Sequence, residues 1–213
     1  CLACDLCRTH GGGVPYTELE CLEEDGVMQE TAHTFCPSRC AASILFLLWC
    51  AGSLGVLLTY GVGLRGGCGM LFTAVLLWLS YLDLRDGMLY DCITLPFAVL
   101  GLMISGLDSI SDALLGGTLC GVLFYCLYIA ARGGLGGGDV KLAAGLGLWL
   151  GWEAAIVAVW TAFLLGGVAA AFLLLTGRKS RHDGIPFGPF LAVGGYVGCL
   201  AGRHLWQLYW GVL

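Results

Sequence analysis

Charged side chains are scarce in this sequence. Only 12% of the 213 residues are charged, whereas 58% are hydrophobic. A water-soluble domain carries roughly 25% charged residues, so the chain has too little polar surface to cover a soluble globule. The scarcity predicts that most of the chain lies in a lipid bilayer. The 35 glycines agree with this prediction, because glycine is frequent in transmembrane helices.

Basic residues are also few, and acidic residues outnumber them. The chain has 10 Lys and Arg against 15 Asp and Glu, which gives a formal net charge of −5. A nucleic-acid-binding domain presents a basic patch or stripe, and the sequence offers none. We therefore expect no nucleic-acid partner, and the composition predicts the lipid bilayer as the main partner.

Long apolar segments occupy residues 41–213. A membrane-spanning helix needs about 20 predominantly apolar residues. By that criterion we predict an all-α polytopic membrane domain with seven transmembrane helices, six being the alternative count. The predicted segments are 41–63, 67–83, 92–108, 112–131, 140–152, 154–176 and 186–212.

The distribution of basic residues predicts the orientation of these segments. If residues 1–40 are cytoplasmic, the loops at 84–91, 132–139 and 177–185 are cytoplasmic too, and they carry most of the Lys and Arg of the membrane domain. The opposite loop around Asp108 has no Lys or Arg. Lys and Arg are enriched on the cytoplasmic side of membrane proteins, which favours this orientation.

Two aspartates stand at the predicted cytoplasmic membrane surface. Asp83 ends one apolar segment and Asp139 begins another. Ionisable residues in such segments are costly and usually functional. Two carboxyl groups held close together tend to share a proton, so one can activate water while the other polarises a peptide carbonyl. Taken singly, each aspartate is equally well explained as a helix cap or an interfacial charge.

The residues around Asp83 match a known motif. The run from Asp83 to Pro96 resembles the first signature of type IV prepilin peptidases, a catalytic Asp followed by a Pro-Asp or Pro-Asn pair and a Leu-Thr-Leu-Pro-like run. Asp91 and Pro96 keep the family spacing, whereas Tyr90 stands where the family has proline.

Two further motifs follow in the family's order. Residues 136–142, Gly-Gly-Gly-Asp-Val-Lys-Leu, resemble the second signature, GxGD followed by Val-Lys-Leu. Residues 185–192 are similar to the third, a Pro-Phe-Gly-Pro run that opens the last helix. Glycines before Asp139 allow another backbone or an extended substrate to approach closely. The resemblance covers about residues 70–195.

The resemblance implies an activity and a set of site residues. It implies a GxGD-type intramembrane aspartyl protease of the bacterial cytoplasmic membrane that faces the cytoplasm and removes leaders from prepilins or pseudopilins of type IV pili and type II secretion. The catalytic pair carries over to Asp83 and Asp139. Substrate-binding or supporting roles carry over to Gly136, Gly138, Lys141, Asp91, Pro186, Gly188 and Pro189. Proteolysis needs no cofactor, whereas N-methylation of the new N-terminus, frequent in the family, uses S-adenosylmethionine.

Residues 1–40 form an acidic, cysteine-rich segment, interpreted as cytoplasmic. Family members carry a cytoplasmic domain with paired CxxC motifs, and four thiolates can hold zinc tetrahedrally. The resemblance implies a zinc site at Cys4, Cys7, Cys36 and Cys40. The pattern departs from the family, because Cys1 adds a third cysteine to the first pair and the second pair has one residue too many. A poorly ordered acidic segment is the alternative.

Two other functions remain open at this point. Intramembrane aspartates serve proton relays and glycine-rich helix breaks can bind ions, so a small transporter or channel is one alternative. Against it, the sequence has no inverted repeat, and the aspartates lie at one face and not at mid-bilayer. An inactive membrane scaffold of pilus assembly is the other, and it predicts that both aspartates are dispensable.

Overall fold

The structure, a computed structural model, describes residues 39–131, 135–176 and 186–211. The N-terminal cysteines therefore lie outside the described residues. All regular secondary structure within the described ranges is helical, which confirms the predicted all-α class. The helices are α1 (Arg39–Tyr60), α2 (Leu64–Asp86), α3 (Asp91–Ala130), α4 (Gly137–Leu175) and α5 (Gly188–Gly211).

The helices have the length and apolarity of membrane spans. Four stretches of the described chain are long and apolar enough to cross a bilayer, namely Ala41–Tyr60, Leu64–Asp86, Asp108–Ala130 and Gly137–Leu173. A shorter apolar helix covers Asp91–Gly106. The chain is therefore an integral membrane protein, and the count of seven crossings stays a prediction.

Helix α3 doubles back on itself at Ser109. That residue has extended dihedral angles (φ −160°, ψ 104°) inside the helix. A Cβ on Gly101 would meet Trp149, and one on Gly117 would meet the neighbouring Leu148. Residues before and after the break thus contact adjacent residues of α4. The two halves of α3 therefore run side by side as a hairpin.

Helix α4 turns in the same way at Gly151, whose φ of 74° lies in the left-handed region that favours glycine. Gly195 lies against Leu146, before the break, and Gly194 lies against Ala158, after it. The described chain thus contains seven helical segments. The second break falls at Gly151, two residues before the predicted gap at 153, because one glycine in a left-handed conformation turns the chain without a polar loop.

Glycines let the helices pack closely. A Cβ on Gly116 of α3 would collide with the carbonyl oxygen of Gly147 in α4, and the reverse also holds. On α5, glycines at four-residue spacing face alanines of α4: Gly194, Gly198 and Gly202 lie against Ala154, Ala158 and Ala162. In lipid, such small residues allow the backbone approach that drives helix association.

The predicted loop at 84–91 is shorter than expected. Helix α2 continues through Asp86, and α3 begins at Asp91. Leu84 and Arg85 are good helix formers, so the first charges do not end the helix. It ends where Gly87 adopts a φ of 65° and donates its N–H to the Asp83 carbonyl. Asp83 therefore lies in the last turn of α2 and not at its end.

Candidate active site

Asp83 is a buried carboxyl group that contacts a distant part of the chain. Only 6% of the surface of Asp83 is exposed. The backbone N–H of Gly188 donates a 2.8 Å hydrogen bond to Asp83 Oδ2. The Pro-Phe-Gly-Pro motif at the start of α5 therefore contacts the motif that begins at Asp83.

The start of α5 explains this contact. The Phe187 carbonyl accepts the N–H groups of Phe190 and Leu191, so Gly188 is the first residue of the helix. The first N–H groups of a helix have no intrahelical acceptor, and Pro189 has no N–H to offer. The Gly188 N–H is satisfied by the Asp83 carboxyl, and the positive end of the helix dipole favours negative charge there.

Gly188 also has no space for a side chain. A Cβ at this position would lie 2.6 Å from Asp83 Oδ2 and 2.9 Å from its Cγ. Glycine is therefore required if the N–H is to reach the carboxyl group. Pro186, before the helix, is half-buried and makes no contact with Asp83 that the structure records.

Asp139 lies in the first turn of α4 and is also 6% exposed. Its Oδ2 accepts the N–H of Gly136 at 3.3 Å, while the Asp139 N–H donates to the Gly136 carbonyl at 3.1 Å. The carboxyl reaches back to the N–H at the start of the helix as in one half of a capping box, and the backbone carbonyl of Gly136 takes the place of the absent side chain. Its other oxygen, Oδ1, is buried and has no hydrogen-bond partner among the described residues.

The two carboxyl groups belong to one site. Both are buried at the same end of the helices, near enough for the charge of Asp83 to act on Asp139. A buried carboxyl oxygen without a partner is costly. Asp139 Oδ1 is therefore the oxygen of the pair that a water molecule or a substrate carbonyl can contact.

The segment between α2 and α3 covers this site from one side. A Cβ on Gly138 would lie 2.6 Å from the Cβ of Leu89, so Gly138 allows residues 87–90 to lie against the start of α4. Sequence reasoning gave Leu89 no role, although the crowded glycine of the GxGD motif implied some close neighbour.

Lys141 and Asp91 form an ion pair with Nζ and Oδ2 2.5 Å apart, and both side chains are about half exposed. The pair joins the start of α3 to the first turns of α4. Lys141 therefore has its recorded carboxylate contact with Asp91 and not with Asp139. Asp91 is also the first residue of α3, where negative charge is favoured.

Tyr90 replaces the family's proline without changing the backbone. Its φ is −79°, within the range to which proline is restricted. Its hydroxyl donates to Asp86 Oδ2 at 3.4 Å. The departure from the motif thus adds a polar side chain beside the site and leaves the start of α3 in place.

Aromatic rings pack against the residues that hold Asp83. Phe187 has its ring centroid 5.4 Å from that of Phe163 and 6.0 Å from that of Phe124. Phe124 is fully buried. This packing fixes the residue before Gly188 and so positions the N–H that Asp83 accepts.

The fold and the site define an integral membrane protein with a buried pair of carboxyl groups at one end of its helices. Residues 70–171 match the model of the type IV leader peptidase family. This match confirms the resemblance found in the motifs. No solved structure matches the chain.

Curated relatives carry the same family's name. The chain is 33% identical over 165 residues to the prepilin leader peptidase/N-methyltransferase of Aeromonas hydrophila, covering 74% of this chain and 57% of the relative. It is 38% identical over 146 residues to that of Burkholderia pseudomallei strain 1026b, covering 65% and 47%. The chain thus spans about half the length of these relatives.

Proposed function

We propose that the chain is an aspartic endopeptidase that cleaves the leader peptide of type IV prepilins or pseudopilins, with Asp83 and Asp139 as its catalytic residues. The observation that carries the proposal is the buried pair: each carboxyl accepts a backbone N–H at a helix start, and one oxygen of Asp139 has no partner among the described residues. The names of the relatives support the substrate class.

The surroundings of the two carboxyl groups suggest different roles. Asp83 receives the Gly188 N–H at 2.8 Å at the start of α5, an arrangement that favours its ionised form. Asp139 has a longer bond, 3.3 Å, and an oxygen without a partner. We assign Asp83 as the general base and Asp139 as the carboxyl that holds the shared proton.

The reaction then follows from proton positions. Asp83 takes a proton from a water molecule whose oxygen attacks the scissile carbonyl carbon, while Asp139 gives its proton to the carbonyl oxygen. When the tetrahedral intermediate collapses, Asp83 passes its proton to the leaving nitrogen, and Asp139 recovers a proton from the hydroxyl of the intermediate. Gly136 and Gly138 have supporting roles, because Gly136 donates its N–H to Asp139 and Gly138 allows Leu89 to lie against the start of α4.

The site belongs on the cytoplasmic side of the bacterial cytoplasmic membrane in this proposal. The support is the positive-inside rule applied to the loops at 84–91, 132–139 and 177–185. N-methylation with S-adenosylmethionine is a second proposed activity, supported by the relatives' names. The zinc site proposed at Cys4, Cys7, Cys36 and Cys40 lies outside the described ranges.

Cleavage of a model prepilin, followed by mass spectrometry of the products, tests the proposal. Asp83→Asn and Asp139→Asn should each lower the cleavage rate by about three orders of magnitude or more, because an amide keeps the shape but cannot exchange the proton. The double variant should lose little more than either single one, since residues that act as a unit are not additive.

Asp86→Asn and Asp91→Asn are the matched controls, because they remove carboxylates near the site but outside the pair. We expect them to retain most of the activity. Near-normal cleavage by either Asp83→Asn or Asp139→Asn, in protein of normal helical content, would contradict the two-aspartate mechanism. Failure of the unaltered, folded protein to cleave the model prepilin would favour the scaffold or transporter alternatives.

A further inference from the structure

A cavity of about 320 Å³ lies at the end of the helices opposite the carboxyl pair. All five helices contribute to its lining, and it forms where α3 and α4 turn at Ser109 and Gly151. Arg65 in its wall and Asp83 belong to the same helix, and a rise of 1.5 Å per residue separates them by about 27 Å. The cavity is therefore distinct from the candidate active site.

The cavity is lined by charges of both signs. Arg65 and Asp108 form an exposed ion pair with Nη2 and Oδ1 2.9 Å apart, so they largely neutralise each other. Arg203 and Asp112 line the same cavity. Within the described ranges neither of these two side chains has an ion-pair partner. The cavity thus offers one cation and one anion to a ligand.

These charges favour a ligand that carries a phosphate and a primary ammonium group. A guanidinium group binds phosphate through parallel hydrogen bonds, and a carboxylate accepts hydrogen bonds from an ammonium group. The volume equals that of about ten water molecules at about 30 Å³ each, which is enough for a phosphate joined to a short amine.

The position of the cavity indicates a lipid as the source of this ligand. It lies where α1 ends and α2 begins, at one end of the membrane-spanning helices, which is the level at which a bilayer places its head groups. Leu64, the first residue of α2, is 78% exposed, and it offers an apolar surface to acyl chains beside the cavity.

We propose that this cavity binds the head group of phosphatidylethanolamine, with its phosphate on Arg203 and its ammonium on Asp112. Phosphatidylglycerol has the phosphate but no amine. Phosphatidylcholine has a quaternary ammonium that cannot donate a hydrogen bond to Asp112. Preference among these three lipids therefore reports on both contacts.

Native mass spectrometry of delipidated protein, titrated with each lipid and with soluble phosphoethanolamine, tests the proposal. The unaltered protein should bind phosphatidylethanolamine about tenfold more tightly than the other two lipids, because only it completes the charge-assisted bond to Asp112. Arg203→Gln should weaken all three lipids by about tenfold, whereas Arg203→Lys should retain much of the affinity. Asp112→Asn should abolish the preference for phosphatidylethanolamine.

Arg85→Gln, which removes a cation at the opposite end of α2, is the control and should leave lipid binding unchanged. Circular dichroism and gel filtration check that each variant is folded. Equal affinity for the three lipids, or unchanged binding by folded Arg203→Gln, overturns the proposal. Phosphoethanolamine that binds as tightly as the lipid overturns the lipid assignment in favour of a soluble ligand. Prepilin cleavage does not enter these measurements, so their outcome is independent of the proposed function.

Discussion

At the scale of single residues, the four glycines around the carboxyl pair differ in what a side chain would meet. A Cβ on Gly188 would lie 2.6 Å from Asp83 Oδ2, and one on Gly138 would lie 2.6 Å from Leu89. A Cβ on Gly136 would lie 3.3 Å from Asp139 Oδ2, and one on Gly137 would have no atom within 4 Å. The variable position of the GxGD motif is thus the one with open space.

This difference predicts the outcome of alanine substitutions. Gly188→Ala should lower the cleavage rate by at least about a hundredfold, because the Cβ forces the Gly188 N–H away from the Asp83 carboxyl and misplaces the base. Gly137→Ala, in the GxGD motif two residues before Asp139, should cleave at close to the normal rate. The measurement is the rate of prepilin cleavage at saturating and at low substrate.

The pH profile separates loss of this contact from general damage. If the Gly188 N–H stabilises ionised Asp83, weakening the bond should move the acidic limb of kcat/KM to higher pH, since that limb reports the essential base of the free enzyme. A Gly188→Ala variant with normal rates, or with a lower rate and an unshifted limb, would contradict the role given to this N–H.

The sequence predicted the two aspartates but not their hydrogen-bond partners. Asp83 and Asp139 follow from motif spacing and from their position at the ends of apolar segments. The Gly188 contact joins residues 105 positions apart, and it depends on how α5 packs, which local sequence does not specify. The Lys141–Asp91 pair likewise joins two motifs that the sequence treated separately.

At the scale of helices, hydrophobicity located the apolar segments and came close to the boundaries between them. The predicted gap at 109–111 contains the break at Ser109. The predicted gap at 153 lies two residues after the break at Gly151, where one left-handed glycine turns the chain without a polar loop. The end of α2 was placed too early. Leu84 and Arg85 continue the helix on the polar side of the apolar segment, and only the left-handed Gly87 ends it.

The glycine ladder on α5 predicts a difference in stability. Gly198→Ala should lower the apparent melting temperature, because its Cβ would lie 2.8 Å from the Ala154 carbonyl oxygen and overpacking costs about 1–3 kcal/mol. Gly167→Ala, on α4 with no atom within 4 Å of the new Cβ, should melt at the normal temperature or slightly above it.

Thermal unfolding of purified protein in one detergent measures both variants. Each receives the same added methyl group in an apolar helix, so any difference reports helix packing and not the bilayer or the detergent. Equal melting temperatures for Gly198→Ala and Gly167→Ala would show that the close contact between α4 and α5 at Gly198 does not contribute to the stability of the folded protein.

At the scale of the whole molecule, the two ends of the helices differ in function under our proposals, but the described cations after α1 do not orient them. Arg85 and Lys141 lie at the end with the carboxyl pair, and Arg65 and Arg203 lie at the other. The predicted orientation therefore depends on residues 132 and 177–185, which carry basic side chains outside the described ranges.

Two exposed positions at opposite ends test that orientation. Met88, between α2 and α3, is 67% exposed, and Val62, between α1 and α2, is 98% exposed. Each is changed to cysteine in a background without other cysteines, and intact spheroplasts are treated with a membrane-impermeant maleimide. Val62→Cys should be labelled directly, and Met88→Cys only after permeabilisation, because helix α2 separates the two positions by about 35 Å at 1.5 Å per residue. Direct labelling of Met88→Cys with protection of Val62→Cys would place the carboxyl pair on the outer side of the membrane. The pair could not then reach a leader peptide that faces the cytoplasm.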